Sequence, residues 1–276
     1  ILKMNEIPGF NFGYADKNDN IFYISNGIIP VRNKKYNWKG VVPGNTRETL
    51  WTEYHKTDEL PQVLNPESGY LYNANNTPFK STSTNENPNS QDFPKEMGYS
   101  LYDNNRSTRI YELIESYEKI DFSDFKSIKF DYKYPTPFTF NFVDVNEIME
   151  MNPDDYPDIS DLIIEIQNWD RSTSSDSLGA GIFAIFYYNL GKYIRKPYIN
   201  RNLSKNLIAQ MLRDVKAYMV KHFNKTNVRL GEYQKLVRGD KEIPIWGMPD
   251  VITAMTSSRH IGGKRQITHG ESYIQL

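Results

Sequence analysis

The chain has 276 residues, with 33 Lys and Arg against 34 Asp and Glu and a net charge of -1. This length allows one or two domains with a sizeable core, and the balanced charge excludes a strong attraction to nucleic acid or to an anionic membrane surface. The chain has no cysteine, which excludes disulfides, thiolate metal sites and a cysteine nucleophile. Aromatic residues make up 14% of the chain, and disordered chains are poor in them, so we expect a folded protein.

The sequence predicts no membrane-spanning helix and no secretion signal. Its most apolar run, residues 181–188, is much shorter than the roughly 18 residues that a span needs. The chain opens with Ile1 rather than Met, and polar residues follow at once. We therefore expect the chain to be a processed or trimmed product.

Residues 1–80 are predicted to be rich in strands and turns. The run Ile21-Phe22-Tyr23-Ile24 favours a strand, and Asn, Asp and Gly residues that suit turns lie on both sides of it. Residues 70–72 predict another short strand. Residues 81–104 begin with a stretch rich in Ser, Thr, Asn and Pro, which predicts a crossing loop, and a plain linker is the simplest interpretation.

Residues 105–227 change to a helical period and are predicted to form a helical insertion. Ser123 and Ser204 are candidate N-caps, and Asp176 or Ser177 is a candidate start of a buried helix. The predicted apolar faces are Ile110, Leu113, Ile114 and Tyr117; Ile159, Leu162, Ile163, Ile166 and Trp169; Ile182, Ile185 and Phe186; and Leu207, Ile208, Met211, Leu212, Val215, Tyr218 and Met219. These faces are first of all core surfaces.

Residues 228–276 are predicted to return to a sheet. Several Gly and Pro residues interrupt this region, and Gly262-Gly263 predicts a hairpin turn. Residues 272–276 predict a last strand.

Common catalytic motifs are absent from the sequence. It contains no GxSxG, no HExxH and no phosphate-binding loop, and its four histidines have no ligand spacing. His55 is interpreted as structural, and His222, which continues a helical apolar face, as a packed or snorkelling residue. The acidic residues Asp154, Asp155, Asp158 and Asp161 are able in principle to bind calcium, but a solvated helix start is the simpler interpretation.

The segment 65–79, NPESGYLYNANNTPF, places Asn73, Asn75 and Asn76 close together. Asparagine is depleted from strands, so this density needs an explanation. One explanation is turn chemistry, because asparagine tolerates left-handed backbone and bonds to its own backbone. The other is a side-chain amide that stabilises an oxyanion without titrating. The residues alone favour turn chemistry.

Several segments in order resemble the penicillin acylase and acyl-homoserine-lactone acylase family. They include FNFGYADKNDNIFYISNGIIPVR (10–32), WKGVVPGNTRETLWTEYHKTDELPQVLNPESGYLYNANN (38–76) and NNRSTRIYELI (104–114). The segments VRLGEYQKLVRGDKEIPIWGMPDVI (228–252) and HGESYIQL (269–276) are also similar to the family. The WTEYH pattern and the LP and LNP motifs look closer to the lactone-acylase branch.

The resemblance implies an α+β fold, part of the αββα sandwich of the N-terminal nucleophile hydrolases with an added β segment and a helical insertion. In that family the first residue of the large subunit, usually serine, is both nucleophile and base through its α-amine. Matching the motifs residue by residue places Asn75 at the oxyanion hole and Arg106 at an active-site arginine that orients the site. The resemblance places the serine upstream of Phe10, so this internal piece of the large subunit is expected to be inactive alone.

The resemblance further implies a parent amidohydrolase that is periplasmic or secreted and removes an acyl group from a β-lactam nucleus or a homoserine lactone. Its expected partners are the small subunit, the rest of the large subunit and a small acyl amide substrate, without nucleic acid or membrane. It implies no cofactor, and no metal residue is carried over. The alternative is a non-catalytic binding module for glycan or peptide, suggested by 20 Tyr and 4 Trp.

Overall fold

The computed structural model describes residues 9–138, 143–193 and 201–270. The fold class is α+β, as predicted, and the chain divides into two compact units, Ile1–Asp103 and Asn104–Leu276. The finer division into 1–80, 81–104, 105–227 and 228–276 stays a prediction.

The first unit is built on a small antiparallel sheet. Its strands, in the order β1-β2-β3, are β1 (Phe10–Ala15), β2 (Ile21–Asn26) and β3 (Gln62–Leu64). The carboxylate of Asp16 closes the β1–β2 turn, because it accepts hydrogen bonds from the backbone N–H groups of Asn18 at 2.8 Å and Asn20 at 3.0 Å. The strand predicted at Ile21–Ile24 is confirmed as β2.

The strand predicted at residues 70–72 is wrong. The backbone N–H of Tyr72 donates to the carbonyl of Ser81 at 2.9 Å, and the Thr82 hydroxyl donates to the carbonyl of Tyr70 at 2.9 Å. The side chain of Asn87 in turn bonds to the backbone of Thr82 in both directions. One backbone carbonyl and one hydroxyl of the next loop therefore satisfy backbone groups that a strand partner would otherwise take.

The loop predicted after residue 80 contains no α-helix and no strand. It forms three short 3₁₀ turns, at Thr84–Glu86, Ser90–Asp92 and Lys95–Met97. Met97, with Ile24 and Leu60, forms a small buried cluster, so this loop contributes to the core of its unit.

The second unit combines helices with strands. Its helices are α1 (Asn105–Glu115), α2 (Phe122–Lys129), α3 (Ser160–Gln167), α4 (Leu178–Tyr193), α5 (Lys205–Phe223) and α6 (Leu230–Tyr233). Its strands are β4 (Val143–Asp144), β5 (Arg201–Asn202), β6 (Gln234–Arg238), β7 (Lys241–Pro244), β8 (Met255–Arg259) and β9 (Arg265–Gly270). None of the helices within the described ranges is both long and apolar enough to cross a membrane.

Helix α4 lies at the centre of this unit. Every residue from Gly179 to Phe186 is buried, and α3, α5 and α6 all pack against α4. A helix that is apolar all round is stable only when it is enclosed in this way. The predicted buried helix is confirmed, and the Ser177 hydroxyl accepts a hydrogen bond from the N–H of Ala180 at 3.1 Å.

Two glycines let neighbours approach α4 closely. A β-carbon at Gly179 would lie 2.4 Å from the ring of Trp169, and one at Gly181 would lie 2.0 Å from the carbonyl oxygen of Val228. Both distances are far below van der Waals contact, so only glycine fits at either position.

The apolar faces predicted for α3 and α5 are confirmed. The α3 face, including Ile166, is buried, as is most of the α5 face. The side chain of Ser204 caps α5, because it accepts a hydrogen bond from the N–H of Leu207. The first predicted face, on α1, is only half-buried among the described residues.

The cap predicted at Ser123 is wrong. Asp121 caps α2 two residues earlier, and Asp124 completes a reciprocal pair of side-chain bonds with it. Each aspartate accepts a hydrogen bond from the backbone N–H of the other, whereas Ser123 already lies inside the helix.

Four strands form the main sheet of the second unit, in the order β7-β6-β9-β8. Strand β6 pairs with β9 in parallel, and β8 and β9 form an antiparallel hairpin. Gly262 and Gly263 form the predicted turn of this hairpin, both with positive φ. The strand predicted at residues 272–276 lies outside the described residues.

Two isoleucines on α3 provide a matched test of the core. Ile166→Ala should destabilise the protein by about 2–5 kcal/mol, because it opens a cavity beside α4. Ile164 is 47% exposed on the same helix, so Ile164→Ala removes as much side chain from a partly solvated position and should cost much less. Urea denaturation of both variants measures the difference, and equal costs would contradict this packing.

Candidate active site

The candidate residue of the first unit, Asn75, lies in a tight turn. Its φ is 61°, in the left-handed region, and its side chain is exposed. Its backbone N–H donates to the side-chain oxygen of Asn73 at 3.0 Å. Asparagine tolerates this backbone better than most residues do, so the turn explains part of the asparagine density.

The next residue, Asn76, has a different environment. It is buried, and its side-chain oxygen accepts a hydrogen bond from the N–H of Ala74 at 2.8 Å. Its side-chain amide donates to the carbonyls of Thr77, at 3.1 Å, and Lys80. Asn76 therefore holds the turn together, and Asn75 presents an amide at its surface.

A buried tyrosine anchors this turn to the sheet. The hydroxyl of Tyr23 on β2 donates to the side-chain oxygen of Asn11 at 2.8 Å and lies 3.4 Å from the side-chain nitrogen of Asn73. Burial raises the pKa of Tyr23, so the hydroxyl stays neutral and is able to donate. The position of the turn is thus tied to the β1–β2 pair.

The candidate residue of the second unit, Arg106, is the second residue of α1. Asn104 caps this helix by accepting a hydrogen bond from the N–H of Ser107 at 2.9 Å, and the Ser107 hydroxyl lies 3.4 Å from the N–H of Asn104. This reciprocal pair fixes the first turn of the helix and hence the direction of Arg106.

An aspartate that the sequence analysis missed holds this helix start. The carboxylate of Asp250 accepts hydrogen bonds from the backbone N–H of Asn105 at 3.0 Å, from the side chain of Asn105 at 2.9 Å and from Nε of Arg106 at 3.3 Å. Asp250 lies in the loop between β7 and β8, with φ at 63°. The only sequence signal was its place in the GMPD motif, after a glycine and a proline that suit a turn.

Burial sets the electrostatics of this cluster. It raises the pKa of Asp250, and the bonds from Asn105 and the charge of Arg106 oppose that shift without cancelling it. Asn105 is itself 1% exposed, and its side-chain amide donates to the aspartate inside the protein. The three side chains form one interdependent group.

The loop that carries Asp250 is fixed at both ends. The hydroxyl of Tyr134 donates to the carbonyl of Pro249 at 2.7 Å, and the N–H of Thr253 donates to the carbonyl of Asp131 at 3.3 Å. Arg109 on α1 forms a two-pronged ion pair with Asp131, at 3.1 and 2.9 Å. Helix α1 and the loop are therefore tied to the same segment of chain.

The remaining candidates are accounted for by ordinary contacts. His55 lies 3.4 Å from Glu59, and His222, interpreted from the sequence as a packed or snorkelling residue, is exposed beside the ring of Tyr218. Asp158 and Asp161, once considered for calcium, form ion pairs with Arg213 and Lys216 on α5. In the described ranges no three acidic or histidine side chains are arranged to hold a metal ion.

Comparison with known proteins gives a consistent result. The family model for penicillin amidase matches residues 1–276. Penicillin G acylase of Escherichia coli is 40% identical over 70 residues, which are 25% of this chain and 8% of that protein. The structure of a thermostable penicillin G acylase from Alcaligenes faecalis superposes with a TM-score of 0.56 at 15% identity.

That superposition covers 81% of this chain and 49% of the Alcaligenes chain. The chain therefore spans about half the length of the solved structure that it matches. At this identity the likeness shows the fold, which is that of the N-terminal nucleophile hydrolases.

Removing the Asp250 carboxylate should destabilise the second unit. Asp250→Ala removes an acceptor that the backbone N–H and side chain of Asn105 share with Arg106, and removing one partner of a buried hydrogen bond costs about 1–3 kcal/mol. Asp240 is an exposed aspartate in the β6–β7 turn, so Asp240→Ala should change stability by less than about 0.5 kcal/mol. Urea midpoints of the two variants test this, and indistinguishable midpoints would remove Asp250 from its supporting role.

Proposed function

Because the chain belongs to the penicillin amidase family, we propose that it is part of an enzyme that hydrolyses an acyl amide bond. The observation that carries this proposal is that two neighbouring asparagines differ in burial and in hydrogen bonding. Asn76 is buried and bonded to the turn, and Asn75 presents its amide at the surface of that turn. A fixed turn with an exposed amide is the arrangement that an oxyanion donor needs.

The proposed reaction proceeds through an acyl-enzyme on an N-terminal serine outside these 276 residues. The serine oxygen attacks the substrate carbonyl carbon, and its proton passes to the serine α-amine. The C–N bond then breaks, and the proton leaves with the amine product. Water attacks the ester in the same way, releasing the acid and restoring the serine.

Asn75 acts in both steps, since each passes through a tetrahedral oxyanion. Its amide N–H donates to the negative oxygen, and a neutral amide does so at any pH at which the protein is folded. Charge develops on that oxygen only on the way to the tetrahedral state. The donor therefore lowers the barrier more than it strengthens ground-state binding.

Arg106 is proposed to orient the site. Its Nε donates to Asp250, and the reciprocal bonds between Asn104 and Ser107 fix the start of its helix. The guanidinium is therefore held in a defined direction. A positive charge fixed in this way favours one alignment of a polar substrate over others.

The proposed substrates are a β-lactam antibiotic or an N-acyl-homoserine lactone, the latter connecting the enzyme to quorum quenching. The WTEYH segment at 51–55 favours the lactone branch. The partners are the small subunit and the remaining large-subunit residues of the same precursor. We place the enzyme in the periplasm or outside the cell.

The alternative of a glycan- or peptide-binding module needs free aromatic platforms. The rings of Trp38 and Trp51 lie side by side, but the Arg32 guanidinium lies over both, at 6.0 and 5.3 Å from the ring centroids. Arg32 is held there by a bond to the carbonyl of Met97 at 3.1 Å. This pair of rings already stacks on a cation of its own chain, which favours the hydrolase.

The two neighbouring asparagines provide a matched test in the intact enzyme. Asn75→Ala should lower kcat by roughly 10²–10³-fold, the usual effect of losing one oxyanion donor, with a smaller change in KM and in melting temperature. Asn76→Ala should lower the melting temperature and leave kcat of the folded fraction near normal. A stable Asn75→Ala enzyme with unchanged kcat would exclude Asn75 from the active site.

The 276-residue chain alone should hydrolyse no amide, because the proposed nucleophile lies outside it. Phenylacetyl and fatty-acyl chromogenic amides, assayed before and after repurification, measure this. Turnover that remains with the chain through repurification would contradict the assignment of the nucleophile.

A further inference from the structure

A cleft in the second unit lies between α4, α5 and the β8–β9 hairpin. Its volume is about 500 Å³, which is within the range of small-molecule sites. Tyr188 and Lys192 of α4 line one side, Tyr218 and Lys221 of α5 another, and the hairpin closes the third. It shares no lining residue with the Arg106–Asp250 cluster.

The cleft is strongly basic, although the chain as a whole is nearly neutral. One carboxylate, Asp214, lines it, and the Tyr193 hydroxyl bonds to that group. Five permanent cations line the same space, and they are Lys192, Lys221, Arg259, Lys264 and Arg265. Two histidines, His222 and His260, also line the cleft.

Two of these cations are held by the surrounding chain. The guanidinium of Arg265 lies 3.6 Å from the centroid of the Tyr188 ring, and its Nε donates to the Ser257 hydroxyl at 2.9 Å. The ammonium of Lys264 donates to Glu242, whose other oxygen lies 3.1 Å from His260. Cations fixed in this way lose little freedom when a ligand binds.

The other three cations are not held by an ion pair in the part of the chain that the structure describes. Lys192, Lys221 and Arg259 form no ion pair or side-chain hydrogen bond with any residue in the described ranges. Like charges that are gathered around one concave space repel each other and raise the local concentration of anions. A bound anion would therefore reduce the repulsion among the cations that line the cleft.

Helix dipoles explain only part of this charge. Lys192 and Lys221 lie in the last turns of α4 and α5, where cations favour the negative helix end. Arg259 and Arg265 lie on the hairpin strands, where no such dipole acts. A helix dipole therefore does not explain why Arg259 and Arg265 lie in the cleft.

The hairpin is packed closely against α5, so the cleft walls are fixed relative to each other. Gly263 has φ at 74°, and a β-carbon there would lie 2.3 Å from the ring of His222. The Tyr218 hydroxyl donates to the carbonyl of Gly263 at 2.6 Å. The packing of the hairpin against α5 therefore forms the cleft, and cations from both the strands and the helices line its walls.

We propose that this cleft binds a small oxyanion, namely a carboxylate- or phosphate-bearing molecule. Arginine and lysine side chains recognise such groups through charge-assisted hydrogen bonds, and Arg259 and Lys221 are the cations placed to supply them. The site goes beyond the proposed amide hydrolysis, because no step of that reaction uses these residues.

The test is calorimetric titration of the intact protein that contains this chain, with inorganic phosphate and with succinate as probes at constant ionic strength. Saturable binding of either probe is expected, and the stronger probe assigns the ligand class. Arg259→Gln and Lys221→Gln should each weaken it about tenfold, as expected for losing one charge-assisted bond. Both residues are exposed, so folding should survive, and circular dichroism checks this.

Lys126→Gln is the matched control, since Lys126 is also an exposed lysine in the last turn of a helix, α2, and does not line the cleft. It should leave the affinity unchanged. No saturable binding, or equal weakening by Lys126→Gln, would overturn the proposal in favour of a solvated basic surface or of a cleft filled by another part of the protein. Loss of amidase activity in Asn75→Ala has no bearing on this result, so the two proposals fail separately.

Discussion

Burial of α4 on every side is the constraint on which the second unit depends. The residues from Gly179 to Phe186 have no polar face to turn toward water, so the neighbouring helices must enclose them. Trp169 and the carbonyl of Val228 come so close that Gly179 and Gly181 have no room for a side chain. Dense packing of this kind places neighbouring elements accurately, and both candidate sites of the unit depend on it.

The route from this core to Arg106 consists of a few contacts. Phe183 of α4 packs edge-on against Tyr134, with ring centroids 5.8 Å apart. The Tyr134 hydroxyl then holds Pro249, and the following residue, Asp250, holds the start of α1. Burial raises the pKa of Tyr134 well above its ordinary value, so this hydroxyl remains a donor. The position of the guanidinium is thus set by packing in the core.

The sequence predicted what is local and missed what is distant. The helical period and the Ser204 cap involve residues a few positions apart, so α3, α4 and α5 were predictable. Asp250 bonds to Asn105, which lies 145 positions away in the sequence, and no local pattern predicts such a pair. The failure at residues 70–72 has a related cause, since Ser81 and Thr82 of the following loop bond there in place of a strand. Resemblance to a family pointed to Asn75 and Arg106, and the geometry added the residues that support them.

The glycines of α4 also limit how the second unit is able to move. A turn of this helix by one residue, about 100°, would bring a side chain into the space beside the Val228 carbonyl, and a slide along its axis would do the same at Trp169. Helix α4 therefore moves only together with the segments that touch these two glycines. Any rearrangement that substrate or anion binding causes in this unit must be carried by segments that do not touch these two glycines, with the central helix as a fixed frame of reference.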